Sequence, residues 1–163
     1  MPGDETAGRL GSDAKRLKVL LVASGGGHWV QLMRVAAAFS DHERVYVTTV
    51  QGCEQDTARA RLHVVRDANQ WQRIGLLRLA FQMLMLVLRE RPDVVVSTGA
   101  APGYFALRFG KLVGAKTVWI DSVANIERLS LSGQLVSSYA DMWLTQWPHL
   151  ATPGGPSYVG AVL

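Results

Sequence analysis

Three short stretches of this chain carry residue types able to do chemistry, and each follows an apolar run. The first is Ser24-Gly25-Gly26-Gly27-His28. Three successive glycines let a backbone approach a ligand closely, and their amides, with the start of a following helix, suit an anionic oxygen such as a phosphate's. The same residues also serve as a tight strand-to-helix turn with no ligand. His28 directly follows the glycines, so its ring stands beside whatever the loop binds. A neutral imidazole there can take a proton from a hydroxyl nucleophile or orient it, a contribution of roughly 100-fold to 10,000-fold in typical cases. A helix-capping or solvent-facing histidine is the plain alternative.

The second stretch, STGAAPG at 97–103, includes Gly99. Its small residues permit either close backbone approach or a simple tight crossover. The third, DSVANIERLSLSG at 121–133, gathers Asp121, Ser122, Asn125, Glu127 and Arg128 after an apolar run. Sugar hydroxyls need such donors and acceptors. An ordinary capped loop, with Ser130 or Ser132 starting the next helix, explains the same residues. Trp143, Trp147 and Pro148 in MWLTQWPHL could stack on a sugar or a partner, but buried aromatics are the commoner outcome. Cys53 and Asp56 sit in a polar loop and receive no role.

These stretches sit between elements that the hydrophobic pattern predicts. Residues 17–23 (LKVLLVA) form a short apolar strand, and 28–39 place apolar residues at helical spacing along one broad face. Strands are expected at 44–49 (RVYVTT) and 62–65, with a polar loop at 51–60 between them. The most apolar segment, 74–88 (IGLLRLAFQMLMLVL), is interrupted by Arg78 and Gln82 and is too short to span a bilayer. On a helical projection Gly75, Arg78, Gln82 and Arg89 share one narrow stripe, which leaves more apolar surface than packing on a sheet usually needs. Arg89-Glu90-Arg91-Pro92 stops that helix. A buried strand at 93–97, a helix at 104–113, a strand at 116–121, a short helix at 132–139 and final strands at 142–146 and 158–162 complete the pattern. Strands alternating with helices throughout predict an open, mostly parallel α/β sheet whose ligands collect beyond the carboxyl ends of the strands.

Composition bounds the rest. With 163 residues, 48% hydrophobic and 18% charged, the chain fits one domain able to bury roughly 70% of its unfolded surface. One cysteine excludes an internal disulfide and any multi-cysteine metal site, and points to a reducing compartment. No carboxylate pair or histidine cluster invites a metal. The first sixteen residues lack an apolar run and read as a flexible tail rather than a signal or anchor, leaving residues 17–163 as the domain. The net charge of +4 comes from scattered residues, which argues against nucleic acid and only admits an anionic lipid surface or a diphosphate ligand. A dinucleotide site would need Gly-x-Gly-x-x-Gly and an acid closing the next strand. That strand closes in Val47-Thr48-Thr49, which argues against NAD.

Taken in order, SGGGHWVQL, the long run from STGAAPGYF through SVANIERLSLSG to MWLTQWPHL, and GPSYVGAVL resemble the acceptor-binding, membrane-recruiting subunit of split, two-chain GT-B glycosyltransferases. That family includes the anchor subunit of the eukaryotic dolichol-linked UDP-GlcNAc transferase and bacterial exopolysaccharide relatives. The resemblance covers 17–163 and is sharpest at 122–133 and at Gln146-Trp147-Pro148. It implies a Rossmann-like domain equivalent to the N-terminal half of a GT-B enzyme, with a separate UDP-binding subunit holding most of the UDP-sugar. Gly25, Gly26, Gly27 and His28 then match the glycine-rich loop that faces the lipid diphosphate and the reaction centre, and Ser122, Asn125, Glu127 and Arg128 match the acceptor-side loop; Ser24 and Gly99 join the glycines as candidate phosphate- or acceptor-binding residues, with His28 as the candidate catalytic residue. Relatives commonly have glutamate where this chain has Asp121, so Asp121 is assigned no direct catalytic role. The resemblance implies no cofactor beyond the UDP-sugar donor, a polyprenyl-diphosphate-linked saccharide as acceptor, and a peripheral position on the cytoplasmic face of the inner membrane through residues 74–88. Two rival readings remain at this stage: a non-catalytic scaffold that recruits a catalytic partner, and a stand-alone Rossmann oxidoreductase.

Overall fold

A computed structural model describes residues 15–68 and 71–162. The expected tail lies outside the described residues but for Lys15 and Arg16, as does Leu163 at the other end. Seven parallel strands form one sheet: β1 (Lys18–Val22), β2 (Glu43–Thr48), β3 (Arg61–Val64), β4 (Val94–Ser97), β5 (Lys116–Ile120), β6 (Met142–Thr145) and β7 (Ser157–Tyr158). Their spatial order is β3-β2-β1-β4-β5-β6-β7. The central strands are apolar on both faces because helices cover both, as parallel sheets require.

One face carries α1 (Gly27–Ala36), whose Trp29 and Leu32 pack against Val19, Leu21, Tyr46 and Val96. The other carries α2 (Arg73–Glu90), α3 (Ala100–Leu112) and the short α4 (Leu131–Leu135). There Leu79, Met83 and Val87 of α2 and Ala106 and Leu107 of α3 meet Leu20, Val22, Val45 and Val95. Each such fully buried aliphatic side chain contributes about 1.5–3 kcal/mol through apolar area removed from water. α3 lies close to the sheet at Gly103, where a Cβ would stand 1.9 Å from Ser97 Oγ and 3.2 Å from the Trp119 ring.

Boundaries shift from the sequence reading in instructive places. α3 begins at Ala100 rather than 104, so half of the expected STGAAPG loop is helix. Pro102 falls in the first turn, where its missing N–H costs nothing. α4 begins at Leu131, with Ser130 as its cap accepting from Gly133 N at 2.8 Å. The last strand shortens to Ser157–Tyr158.

The order reverses direction between β1 and β4, which lie side by side while their following helices leave to opposite faces. Such a switch opens a crevice at the carboxyl ends of the two strands. The loops after β1 and β4 are the two glycine-bearing stretches.

Candidate functional site

The crevice is built around His28. Gly26, with φ 67°, turns the chain out of β1 into α1, and His28 follows in the first turn. Its Nδ1 shares a 3.1 Å hydrogen bond with Ser24 Oγ, and its carbonyl accepts from Thr98 Oγ1 at 2.7 Å. The ring lies against Gly99: a Cβ there would stand 2.3 Å from His28 Cδ2 and 2.5 Å from Nε2. Gly99 has φ 145°, and Ala100 behind it has φ 67°, a left-handed conformation costly for a residue with a Cβ. The loop after β4 thus spends backbone strain where it meets the histidine.

Burial holds the His28 imidazole below its ordinary value of 6.5, against the opposing pull of the Asp121 carboxylate. His28 is therefore neutral at pH 7. With the proton on Nδ1, that nitrogen donates to Ser24 Oγ and Nε2 keeps its lone pair. The histidine opens on a groove of about 480 Å³. Asn125, Ser130 and Ser132 line the groove with it, and its walls are Leu76, Tyr104, Phe105 and their apolar neighbours.

Asp121, at the end of β5, is the hub of the loop that follows. It is 1% exposed. Its carboxylate accepts from Ser130 Oγ at 2.5 Å, Ser130 N at 2.9 Å, Asn125 Nδ2 at 3.2 Å and Trp119 Nε1 at 3.2 Å. Every oxygen is thus committed to folding the loop, and Asp121 acts as its organiser.

The sequence-selected residues divide on this scaffold. His28, Gly99 and Asn125 come together at the crevice. Ser122 is buried and its Oγ accepts from Gln31 Nε2 at 3.2 Å and from Ala124 N at 3.3 Å, so it serves the loop's interior. Glu127 and Arg128 are exposed and line a different cleft, with Gln134, Trp143 and His149. Gly25 packs beside Val50, while Gly26 and Gly27 have open space where a side chain would stand. Asp56, left without a role above, accepts from Trp29 Nε1 at 2.8 Å.

Sequence reasoning missed Gln31 and singled out Gln146 within the QWP motif without a role. Both are buried, and Gln146 Nε2 donates to Gln31 Oε1 at 2.7 Å and to the Asp121 carbonyl at 2.9 Å. Gln31 Oε1 also accepts from Val123 N at 3.3 Å. Trp147 Nε1 donates to Val123 O at 2.8 Å and His149 Nε2 to Ile126 O at 2.5 Å. The QWP motif is therefore a staple over the loop after β5. The available signal was a glutamine inside the otherwise apolar face of α1, since buried amides demand partners.

The opposite side of α2 shows Ile74, Leu77, Phe81, Met85 and Leu88 to solvent, each 45–72% exposed. Their spacing makes one continuous apolar stripe along the helix. Beside its start, Arg66, Arg73 and Arg78 line a recess of about 620 Å³ with Trp71. Among the described residues, no helix is long and apolar enough to cross a membrane.

A seven-stranded parallel Rossmann-like sheet, with a crevice at the β1/β4 switch, is the architecture of one half of a GT-B glycosyltransferase. The structure of MurG from Acinetobacter baumannii superposes with a TM-score of 0.71 at 14% identity, covering 87% of this chain and 45% of that one. A putative UDP-N-acetylglucosamine 2-epimerase from Listeria monocytogenes gives 0.64 at 14% identity, covering 82% and 40%. The chain therefore spans under half the length of these solved proteins. Residues 65–162 match the family described as "Oligosaccharide biosynthesis protein Alg14 like", and the chain belongs to that family. The UDP-N-acetylglucosamine transferase subunit ALG14 of Yarrowia lipolytica is 26% identical over 82% of this chain and 75% of its own length. The mouse subunit is 27% identical over 82% and 77%. Gly25 to His28 precede the residues that the family model matches.

Proposed function

We propose that this chain is the acceptor-binding subunit of a heteromeric, inverting glycosyltransferase that moves a sugar from a UDP-sugar to a polyprenyl-diphosphate-linked saccharide. The observation that carries the reading is the placement of His28, set between two glycine loops at the switch point and lining a groove that has both hydrogen-bonding and apolar side chains. Its support is the family and the half-enzyme fold. A separate UDP-binding subunit supplies the other half and most of the donor site.

In this reaction the amides after β1 and the start of α1 receive the acceptor diphosphate. His28 Nε2 takes the proton of the acceptor hydroxyl as its oxygen attacks the anomeric carbon, and UDP leaves from the opposite side with the bonding electron pair. Asn125 and the Ser132 hydroxyl orient the acceptor saccharide, on a loop that Ser130 and Asp121 hold in shape. No metal or further cofactor enters the scheme. The apolar stripe of α2 lies in the membrane surface, with Arg66, Arg73 and Arg78 toward anionic headgroups, on the cytoplasmic face where nucleotide sugars are made.

The stripe also favours a second reading, a scaffold that only recruits the catalytic partner to lipid. UDP release, measured for this chain with and without its partner subunit, tests the first reading. Turnover is expected only from the pair; robust transfer by the isolated chain overturns the split site.

A further inference from the structure

The groove that opens at His28 has apolar walls contributed by three helices. Besides His28, Asn125, Ser130 and Ser132, it is lined by Ala101, Tyr104 and Phe105 of α3 and by Leu131 and Leu135 of α4. Leu76 of α2, Ala68 and Trp71 line it as well. Trp71 also lines the arginine recess, together with Ile74, so the groove and the exposed stripe of α2 are neighbours.

The lining mixes two kinds of side chain: the short polar groups of His28, Asn125, Ser130 and Ser132, and aliphatic or aromatic walls. Tyr104 packs edge-on to Phe105 at 5.3 Å and to Tyr139 at 6.0 Å, which stiffens that wall. A peptide laid here would leave its backbone N–H and C=O groups without partners, and a sugar chain its hydroxyls. A hydrocarbon chain with an anionic head loses nothing. The volume of about 480 Å³ lies within the range of roughly 300–1,000 Å³ that holds small ligands.

We propose that this groove is an isoprenoid site: it holds the first isoprene units of the acceptor lipid, with the diphosphate at the His28 end and the remaining chain leaving past Trp71 onto the apolar stripe of α2. The proposal rests on the acceptor-binding reading and adds what that reading leaves open, a protein-lined path for the lipid between the reaction centre and the membrane. It makes the acceptor's tail part of recognition rather than only a tether.

Calorimetric titration of the full chain with inorganic diphosphate, isopentenyl diphosphate and farnesyl diphosphate tests it directly. Farnesyl diphosphate is expected to bind at least about tenfold more tightly than isopentenyl diphosphate, because its added carbons enter the groove. Ala101→Trp, which fills the groove, and Leu135→Glu, at an exposed wall position where folding is little at risk, should each erase that gain while inorganic diphosphate binds as before. Affinity independent of tail length overturns the proposal. So does a gain that survives both groove variants and is lost instead in Leu77→Glu/Phe81→Glu on the stripe. UDP release with the partner separates the two ideas. Transfer that proceeds without groove-dependent tail binding removes the groove and leaves the enzyme reading intact. Groove-dependent tail binding without transfer to any acceptor supports the isoprenoid site and removes the enzyme reading.

Discussion

Each edge of the sheet buries one carboxylate, and the two are partnered in opposite ways. At the amino edge Glu90, 4% exposed at the end of α2, meets Arg61 Nη1 at 2.9 Å, His63 Nε2 at 3.1 Å and Lys18 Nζ at 3.6 Å. Arg61 also reaches Glu43, so the starts of β1, β2 and β3 are tied to α2 through one ionic cluster. At the carboxyl edge Asp121 is at least as deeply buried but accepts only from neutral donors. Among the described residues no cation pairs with it, and part of its field reaches His28. Paired charge makes a clamp, whereas unpaired charge held by dipoles makes a loop scaffold with an electrostatic reach into the site. Burial alone would raise the Glu90 pKa, but the hydrogen bond from His63 and the charges of Arg61, His63 and Lys18 outweigh it and hold it below 4.5.

Four measurements sharpen or break this contrast. His28→Ala touches only the carboxyl edge and should lower turnover of the paired enzyme by roughly 100-fold to 10,000-fold with the melting temperature unchanged. Unchanged turnover and assembly would favour the scaffold reading. Asp121→Ala strips the partners from Ser130, Asn125 and Trp119 at once. A stability loss of about 3 kcal/mol in urea unfolding is expected, together with lost turnover, because the loop proposed to orient the acceptor is no longer held. Glu90→Ala should cost less, about 2 kcal/mol, since Arg61 is half-exposed and regains water; turnover at low temperature should survive. If Glu90→Ala lowered turnover as much as Asp121→Ala, the two edges would not be functionally separate.

The smallest effect is in the pH dependence of stability. His28 has its folded pKa depressed below the unfolded 6.5, so the unfolded chain binds the proton more readily and stability falls as pH drops through 6.5. Glu90 has its folded pKa depressed below 4.5, so its contribution is present above 4.5 and is lost only as pH falls through the lower folded value. Denaturant unfolding between pH 7 and 5 should therefore show a decline that disappears in His28→Ala and persists in Glu90→Ala.

Much of the site was legible before folding. The glycines before His28, the small residues around Gly99 and the polar cluster after the fifth strand all sit at strand carboxyl ends, where parallel α/β sheets gather ligands. Asn125 was recognised as a candidate and lies at the groove. Glu127 and Arg128, two and three residues further on, were recognised by the same reasoning and line another cleft. A loop has no periodicity, so residue type shows that it holds hydrogen-bonding groups but not which of them turn inward. The helix at 74–88 was similarly half-read: its excess of apolar surface was plain, while the division into buried Leu79, Met83 and Val87 and exposed Ile74, Leu77 and Phe81 needed the sheet beneath it.

The chain's own pattern determined that strands and helices alternate and that glycine, histidine and polar residues follow the strands, because alternation and turn chemistry are local. Tertiary structure alone decided that β1 lies beside β4, that Gly99 therefore touches His28, and that Gln31 and Gln146 close over Asp121. Those contacts join residues many tens of positions apart. Buried polar groups fix them by requiring partners, and no local rule names which partners they will find.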